Sequence, residues 1–515
     1  MPNLSTDRNM GFSAFLTWTA VWVAILHQLH QVTAFPLHAA ALNDIPTYSD
    51  STDREWRMQV DAHVKEHLAT ILRDEAVNRL DKLGKVSDSP EFLQRTFMSP
   101  AALRAGQLIR TWMSDAGLFT WIDDMGNVHG RFDGMNSSAP ALLIGSHMDT
   151  VIDAGRYDGA LGVVSAIAAV KALQKSGRLV DYPRPIEIIA FSDEEGVRFQ
   201  STFLGSGAIA GTLSPNLLQV KDKRGVTVSA ALQKLSFPGT KESLFNLKYE
   251  PESVWGYVEV HIEQGPVLES KGLPLGVVDA IAGQTRLRVS MKGSAGHAGT
   301  VPMAMRKDPM PAAAQAIVAI EELCIRPQQG GSPATVSRPT ANKGGALVCT
   351  VGEIASWPGA SNVIPGEVTF SVDVRAKDDN VRELAVLNME LSIHEICRNR
   401  AIACTIERKN EAKTVECDKE LIDRLSVSAT AATNELFSLT GVQTTNEEPV
   451  PTLSSGAGHD ALAMAQLTKV GIMFVRCTGG ISHSPEEHVL DDDIWAAGLA
   501  LHSFLESDLP ASFSA

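Results

Sequence analysis

The fold is decided by residues 141–174, which read ALLIGSHMDTVIDAGRYDGALGVVSAIAAVKALQ. This segment opens on an apolar run, 141–145, and ends on a helical stretch, 161–174, that is apolar on most of its faces. Two more apolar runs follow, IEIIAF at 186–191 and VWGYVEV at 254–260. Strand, helix and strand in this order predict an α/β fold, with a mostly parallel sheet and helices on both faces.

Residues 284–408 have a different pattern. TRLRVSMK (285–292) and EVTFSVDVR (367–375) alternate apolar and polar residues, as half-buried strands do. Helical patterns near 308–325 and 379–400, a strand near 346–354 and a last strand at 404–408 complete a β-α-β-β-α-β order. That order is typical of a ferredoxin-like domain. We therefore predict an inserted ferredoxin-like α+β domain at 284–408, between two parts of a larger domain at 55–283 and 409–508.

Histidines and carboxylates follow each of the three apolar runs, and more of them lie in the loop before 161–174 and near the carboxyl end. They are His147, Asp149, Asp158, Glu194, Glu195, His261 and His483. In open α/β sheets, ligands bind beyond the carboxyl ends of the strands. Imidazole and carboxylate groups together suit Zn²⁺ or Mn²⁺. Two such ions that share a carboxylate form a common hydrolytic centre, with a further carboxylate as the proton shuttle.

Each of these residues also has an ordinary explanation when it is taken alone. A histidine after a strand is commonly a capping or core residue, and an acidic pair such as Glu194-Glu195 is commonly a solvated surface. The repetition at three separate strand ends favours a metal site over these explanations.

The chain resembles the M20 metallopeptidase-type amidohydrolases over nearly all of its length after about residue 55. The stretches that carry the resemblance are GSHMDTV (145–151), YDGALG (157–162), FSDEEGVRF (191–199), HIEQGP (261–266), GSAGHAGTVPM (293–303), SNVIPG (361–366), VDVR (372–375), GAGHDA (456–461) and GISHSPEE (480–487). HIEQGP and GHAGTVPM are similar to the branch that cleaves N-carbamoyl and ureido groups. The stretch SDEEGVRFQSTFLGS is most similar to the plant members of that branch.

The resemblance implies a role for each matching residue. The implied metal ligands are His147, Asp158, Glu195, His261 and His483, with Asp158 shared between two divalent ions. Glu194 is the implied general base, Asp149 the carboxylate that orients His147, and His297 a residue that stabilises the oxyanion. The residues implied to hold the substrate are Gln264, His297, Asn362, Arg375 and His459. For the ions, the resemblance implies Mn²⁺, with Zn²⁺ as the alternative.

The expected reaction is hydrolysis of a ureido C–N bond in a small carboxylate-bearing substrate. Allantoate is the expected substrate, with release of ammonia and carbon dioxide in purine catabolism. Ureidoglycolate, ureidoglycine and N-carbamoyl amino acids remain alternatives within the branch. A metal-free binding protein on the same fold is the alternative of another class, and the complete set of matching ligands disfavours it. The resemblance also implies a homodimer joined through the inserted domains, with His297 reaching the neighbouring subunit's metals.

Composition limits the partners and the compartment. A formal net charge of -15 disfavours nucleic-acid and anionic-membrane partners. The uncharged apolar run at 11–26 predicts that residues 1–40 are a signal peptide, or alternatively a signal anchor, and direct the protein to the secretory pathway, with the endoplasmic reticulum lumen expected. The six cysteines form no CxxC pair, and buried free thiols are the expectation for them.

Overall fold

The computed structural model describes residues 68–325, 347–442 and 449–509. The hydrophobic segment within 1–40 lies outside these residues, so its assignment as a signal peptide or anchor stays a prediction. Across the described ranges, no helix has both the length and the apolar character that crossing a bilayer requires.

The first part of the larger domain extends from a π-helical turn at Thr70–Glu75 to a strand that ends at Ile281. Its helices are α1 (Ala76–Leu83), α2 (Pro100–Asp115), α3 (Ala160–Lys175), α4 (Leu204–Ala210), α5 (Val228–Lys234), α6 (Lys241–Asn246) and α7 (Val267–Lys271). Its strands are β1 (Phe119–Ile122), β2 (Val128–Phe132), β3 (Ala141–His147), β4 (Ile186–Phe191), β5 (Val254–Ile262) and β6 (Leu275–Ile281). Short 3₁₀ turns lie at Leu179–Asp181, Pro215–Gln219 and Pro251–Ser253.

The inserted domain and the return to the larger domain complete the chain. The insert contains β7 (Gly283–Lys292), β8 (Gly296–His297), α8 (Pro309–Ile325), β9 (Val348–Thr350), β10 (Ile354–Trp357), β11 (Val363–Ile364), β12 (Glu367–Ala376), α9 (Asp379–Asn399) and β13 (Ala403–Ala412). The returning part contains β14 (Val415–Glu416), α10 (Lys419–Thr440), β15 (Thr452–Ser455), α11 (Asp460–Met464), β16 (Val470–Val475) and α12 (Asp491–Glu506). Two more 3₁₀ turns lie at Met303–Met305 and Thr478–Gly480.

The large sheet has the strand order β1-β2-β4-β3-β5-β16-β6-β14, with β15 also paired to β6. Its central strands β4, β3, β5 and β16 are parallel neighbours. Antiparallel pairs join β1, β2 and β4 on one side and β16, β6 and β14 on the other. The predicted α/β fold is confirmed, but the sheet is mixed: its central strands and the β15–β6 pair are parallel, and the other pairs are antiparallel. The flanking strands β1 and β2 are short and carry no continuous apolar run, so the sequence pattern did not reveal them.

Helices cover the large sheet on both faces because β3 is buried on both sides. Ile144 of β3 packs into a core with Val163 of α3 and Phe504 of α12. Leu143 points the other way, into a second core with Ile209 and Met464 of the short helices α4 and α11. Alternate strand residues face opposite sides of a sheet, so a strand that is apolar throughout must be covered twice.

The small sheet of the inserted domain has the order β10-β12-β7-β13, with β9 also beside β12. This is the order 2-3-1-4 of a ferredoxin-like β-α-β-β-α-β unit. Helices α8 and α9 pack on one face, where Ala316 and Met389 contact the core residues Val289 and Phe370. The other face, called here the open face, carries alternate polar residues of β7 and β12, among them Arg286 and Arg375.

Segment 213–250, whose role the sequence did not indicate, packs onto the larger domain. Leu217, Leu232 and Leu244 form a small core with Phe97 and Phe199. The segment therefore covers the loop that follows β4, where two of the implied site residues lie.

Disulfides join Cys324 of α8 to Cys349 of β9 and Cys397 of α9 to Cys404 of β13. Their Cα–Cα distances of 6.1 and 6.2 Å lie in the normal range for disulfides. The expectation of free thiols is therefore wrong for these four cysteines, since pairing depends on which strand lies beside which helix. Cys417 and Cys477 are buried free thiols. Both disulfides lie in the inserted domain and tie its helices to its sheet.

Candidate metal centre

The parallel centre of the large sheet brings three implied site segments to one edge. His147 is the last residue of β3, His261 is the penultimate residue of β5, and Glu194 and Glu195 follow β4 within four residues. Because β4, β3 and β5 are adjacent and parallel, their carboxyl ends lie side by side. The packing of these apolar strands thus brings the imidazole and carboxylate side chains together at one edge of the sheet.

Asp158 lies between these histidines, just before α3, and its side chain is 6% exposed. Its Oδ1 atom is 3.5 Å from His147 Nε2 and 3.0 Å from His261 Nε2. Its Oδ2 atom is 3.2 Å from His483 Nε2. Oδ1 is buried and accepts no hydrogen bond, although two imidazole nitrogens face it. One carboxylate therefore presents its two oxygens to two different groups of ligands.

Two ligand sets meet at Asp158. The first is His147, Asp158 and His261, and the second is Asp158, Glu195 and His483, and in each set the donor atoms lie within 4.8 Å of one another. Imidazole nitrogen and carboxylate oxygen are the donors that Zn²⁺ and Mn²⁺ accept. The residues present fit two divalent ions that share Asp158, each with room for further ligands.

The histidines are oriented by their other ring nitrogens. His261 Nδ1 is 2.8 Å from the carbonyl oxygen of Ile262, and His147 Nδ1 is 3.2 Å from the carbonyl oxygen of Asp149. The carboxylate of Asp149 is farther away, with its Oδ1 atom 3.6 Å from the same nitrogen. Contacts of this kind hold a histidine with Nε2 free to bind a metal.

Asp149 also holds the loop after β4. Its two carboxylate oxygens accept hydrogen bonds from the backbone amides of Glu194, at 3.0 Å, and Glu195, at 3.2 Å. The side chain of Asp149 thus connects the end of β3 to the residues that are implied as base and ligand. Its role in orienting His147 stays a prediction.

Electrostatics in the site are dominated by buried carboxylates. Burial raises the pKa of Glu194 well above its ordinary value, and the imidazole of His147 only partly opposes this. Burial also disfavours ionisation of Asp158, yet its contacts with three imidazoles lower its pKa well below the ordinary value. The contacts of His483 with Asp158 and Glu195 raise the pKa of its imidazole to about 10. A surplus of buried negative charge of this kind favours cation binding.

Gln264 and His459 lie beside the ligand sets. Gln264 has a positive φ of 55° and donates from Nε2 to Asp158 Oδ2 at 3.0 Å. His459 is buried, its ring centroid is 4.5 Å from that of His261, and its Nε2 atom is 2.7 Å from Ser455 Oγ. His483 also has a positive φ of 55°. Non-glycine residues in this conformation carry strain, which is concentrated at functional sites in many proteins.

His297 and Asn362 lie together on the inserted domain, apart from the ligands. Strand β8 pairs with β11, so His297 is opposite Val363, the residue after Asn362. Both side chains are exposed, and His297 Nδ1 accepts from the amide of Gly299 at 3.1 Å. In the described part of the chain, neither side chain is hydrogen-bonded or ion-paired to a ligand residue.

Arg375 connects the two domains. Its Nε and Nη2 atoms donate to Asp373 at 2.9 and 3.0 Å, and its Nη1 atom donates to the carbonyl oxygen of Gly456 at 2.6 Å. These bonds use three of the five N–H groups of the guanidinium, which leaves two for a substrate. Asp373 also accepts a hydrogen bond from Arg286 Nε at 3.1 Å. The sequence did not indicate this supporting role, because an aspartate in an alternating strand has no special pattern.

A cavity of about 730 Å³ lies against the open face of the inserted domain. Its lining includes Arg375, Gly456 and three more basic residues, namely Arg286, Arg288 and Lys409. The Arg375–Gly456 contact between the domains therefore lies in the wall of the cavity. The four basic side chains of this wall offer positive charge on an otherwise acidic protein.

A second buried network, also missed in the sequence, supports the loop after β4. Asn127 accepts from the amide of Ser192 at 3.1 Å and donates to Asp123 at 2.8 Å. Asp123 in turn lies 3.2 Å from His129, whose other ring nitrogen is 2.8 Å from Glu187. Burial lowers the pKa of His129, but the two carboxylates outweigh this effect and raise it to about 9.

The chain is similar to known proteins over most of its length. Residues 143–507 match the family described as Peptidase family M20/M25/M40. The chain is 59% identical over 443 residues to Allantoate deiminase 1 of Glycine max, covering 85% of this chain and 90% of that protein. It is 59% identical over 441 residues to Allantoate deiminase of Arabidopsis thaliana, covering 85% and 83%. The crystal structure of AtUAH in complex with glyoxylate is similar, with a TM-score of 0.68, 31% identity and coverage of 84% and 97%.

Asp158→Asn is expected to remove most of the metal bound at both positions, because both ligand sets use this carboxylate and an amide carries no charge. The measurement is metal content per chain by mass spectrometry after reconstitution with MnCl₂. Asp153→Asn is the matched control, since Asp153 is exposed on the same loop and asparagine tolerates its positive φ. Two ions per chain in the Asp158→Asn protein would contradict the shared-carboxylate assignment.

Proposed function

Because the chain belongs to the peptidase family M20/M25/M40, we propose that it is a two-metal amidohydrolase that cleaves the ureido C–N bond of allantoate. The observation that carries the chemistry is the position of Asp158 between two ligand sets, with Glu194 and Glu195 on the adjacent loop. The choice of substrate is supported by 59% identity to allantoate deiminases over 85% of the chain.

The reaction needs a nucleophilic water, a base and charge stabilisation. Two divalent ions held by His147, Asp158, Glu195, His261 and His483 would lower the pKa of a bound water and polarise the ureido carbonyl. Glu194 accepts the proton of the attacking water and delivers it to the nitrogen that leaves. Its position suits this role, because its carboxylate lies within 4.8 Å of the donor atoms of His147 and Glu195. Loss of one nitrogen as ammonia leaves the ureido carbon as a carbamate, whose remaining C–N bond breaks as carbon dioxide departs, so allantoate and one water give ureidoglycine, carbon dioxide and ammonia.

Arg375 is proposed to hold the substrate carboxylate. Asp373 fixes the guanidinium through Nε and Nη2, and one N–H on each Nη atom remains free to form a bidentate pair with a carboxylate. Arg286, Arg288 and Lys409 line the same cavity and attract an anion to it. Gln264 and His459, which lie beside Asp158 and His261, are proposed to contact the substrate as well. Mn²⁺ is the proposed native ion and Zn²⁺ the alternative, since both accept these donors.

Ammonia release from allantoate, ureidoglycolate and N-carbamoyl-β-alanine, measured side by side with Mn²⁺ supplied, tests this function. We expect the highest kcat/KM with allantoate. Glu194→Gln serves as the blank, because it keeps the shape of the side chain but loses the base. It should retain metal and lose at least about 100-fold in kcat. A higher kcat/KM with either of the other substrates would refute the assignment to allantoate.

A homodimer is proposed because, among the described residues, the inserted domain has an apolar stripe that no other element covers. Leu384, Leu387 and Leu391 are 50%, 48% and 69% exposed and repeat at three- and four-residue spacing along α9. This spacing forms one apolar stripe on a helix, and such exposed stripes are typical of protein interfaces. His297 and Asn362 are also exposed, and within the described ranges neither forms a hydrogen bond or ion pair with a ligand residue of its own chain. We propose that they complete the site of a second subunit.

Subunit mixing tests this arrangement. His297→Ala and Glu194→Gln proteins, each nearly inactive, are dissociated, combined in equal amounts and reassociated. If His297 acts across the interface, a heterodimer has one site with both residues intact. Random pairing gives half heterodimers, so about one quarter of wild-type activity should return.

The control for this experiment is each variant mixed with itself, together with proof by native mass spectrometry that heterodimers form. If His297 acts within its own subunit, every site in a heterodimer lacks one residue and no activity returns. Heterodimers without recovered activity would therefore rule out the arrangement across subunits.

The lumen of the endoplasmic reticulum is the proposed compartment. The two disulfides of the inserted domain favour an oxidising environment. Asn136 in the triplet Asn136-Ser137-Ser138 is exposed, so a glycan could be attached there. Digestion of the protein from its native source with an N-glycosidase is expected to lower its apparent mass, and Asn136→Gln should abolish that shift. An unchanged mass in the wild type would argue against passage through this compartment.

A further inference from the structure

Glu487 is a buried carboxylate that belongs to neither ligand set, yet it contacts the segment that carries the shared ligand. It is 4% exposed and lies four residues after His483, whereas its neighbour Glu486 is exposed. We propose that Glu487 is a positioning residue that holds the Asp158 carboxylate in place and thereby sets the affinity of the centre for its metals. This inference rests on the metal centre of the proposed function, and it is independent of the substrate.

The carboxylate of Glu487 is occupied by three donors. Its Oε1 atom accepts from the backbone amides of Tyr157, at 2.8 Å, and Asp158, at 3.1 Å. Its Oε2 atom is 3.1 Å from Ser482 Oγ. These contacts distinguish Glu487 from the implied ligand Asp158. Both oxygens of Glu487 have hydrogen-bond donors beside them, whereas Asp158 Oδ1 is buried and accepts no hydrogen bond. Glu487 therefore acts on the backbone of Asp158, and its own oxygens are engaged.

The loop around Asp158 depends on this contact. Asp158 precedes the N-cap Gly159 of α3, and no side chain caps this end of the helix. The amides of Tyr157 and Asp158 both bond to Glu487, so one carboxylate from the far end of the chain holds two consecutive backbone groups. Gly155 lies directly against it, since a Cβ atom at that position would be only 2.3 Å from the Glu487 side chain. The loop is thus built around this carboxylate.

Ser482 extends the contact to the side chain of Asp158. Its Oγ atom is 3.1 Å from Glu487 Oε2 and 3.2 Å from Asp158 Oδ2, and it accepts from Gln264 Nε2 at 3.0 Å. A hydroxyl group has one proton, so it donates to only one carboxylate at a time. Ser482 immediately precedes the implied ligand His483. Glu487 therefore links the backbone of the shared ligand Asp158 to the segment that carries His483. Outer contacts of this kind commonly set metal affinity.

The affinity of metal-free protein for Mn²⁺, measured by isothermal titration calorimetry on the full chain, tests this role. Glu487→Ala leaves two buried amides without an acceptor and should weaken Mn²⁺ binding by about 10- to 100-fold. Glu487→Gln keeps an oxygen for the two amides, and its NH₂ group can donate to Ser482, so its affinity should stay within about threefold of the wild type. Glu486→Ala is the matched control and should bind as the wild type does.

The outcomes separate this role from the alternatives. Wild-type affinity in Glu487→Ala would overturn the proposal, and so would complete loss of one ion in Glu487→Gln, which would make Glu487 a ligand. The melting temperature of each metal-free variant shows whether it is folded. If Glu487→Ala does not fold, Glu487→Asp replaces it, because the shorter side chain cannot reach both amides, and wild-type affinity there would also overturn the proposal.

The test also separates this inference from the proposed function. If the wild type binds no Mn²⁺ and no Zn²⁺, the metal centre and this inference both fail. If the wild type binds two ions and Glu487→Ala binds them equally well, only the role of Glu487 fails.

Discussion

The site depends on one buried charge, the carboxylate of Asp158. A buried ionised carboxylate costs several kcal/mol unless opposite charges or hydrogen bonds compensate for it. Here three imidazole nitrogens lie within 3.5 Å of its oxygens, and one oxygen accepts no hydrogen bond. Protonated imidazoles offset this charge, as the raised pKa of His483 indicates, and divalent ions held by the same side chains would offset it in their place. The strand order, the Gln264 contact and the Glu487 contact all serve to hold this group at the meeting point of the two ligand sets.

The histidines and carboxylates of the centre could be predicted from the sequence because strand cores and strand ends leave a pattern. A buried parallel strand is apolar throughout, so the polar residue that ends it stands out, as His147 and His261 do. The alternation of β7 and β12 likewise predicted the inserted sheet. The sequence pattern did not predict the flanking strands β1 and β2, because they are short and partly exposed. It did not predict the disulfides, because cysteine pairing is a property of the fold and leaves no local signal.

The sequence did not indicate a role for Glu487, and the reason is different. The sequence presents Glu486 and Glu487 as an acidic pair, and acidic pairs are usually solvated. Burial separates the two residues: Glu486 is exposed, while Glu487 faces three donors inside the protein. The same holds for Glu194 and Glu195, where adjacent residues of one type are implied as base and ligand. The sequence pattern indicates which segment is functional, but the direction of each side chain divides the roles within it.

The implied site residues are divided between two domains. The larger domain carries the implied ligands, on the strands β3 and β5 and on nearby loops, whereas Arg375, His297 and Asn362 lie on the inserted domain. Arg375 donates a hydrogen bond across to Gly456, whereas His297 and Asn362 are exposed at the paired strands β8 and β11, and among the described residues neither side chain bonds to the larger domain's ligand residues. In the proposed function, a substrate with a carboxylate at one end and a ureido group at the other would span this division, with Arg375 at one end and the ligand sets at the other. Positioning of the reacting carbon then depends on the distance between the domains, and any partner that fixes the inserted domain also fixes the geometry of the reaction.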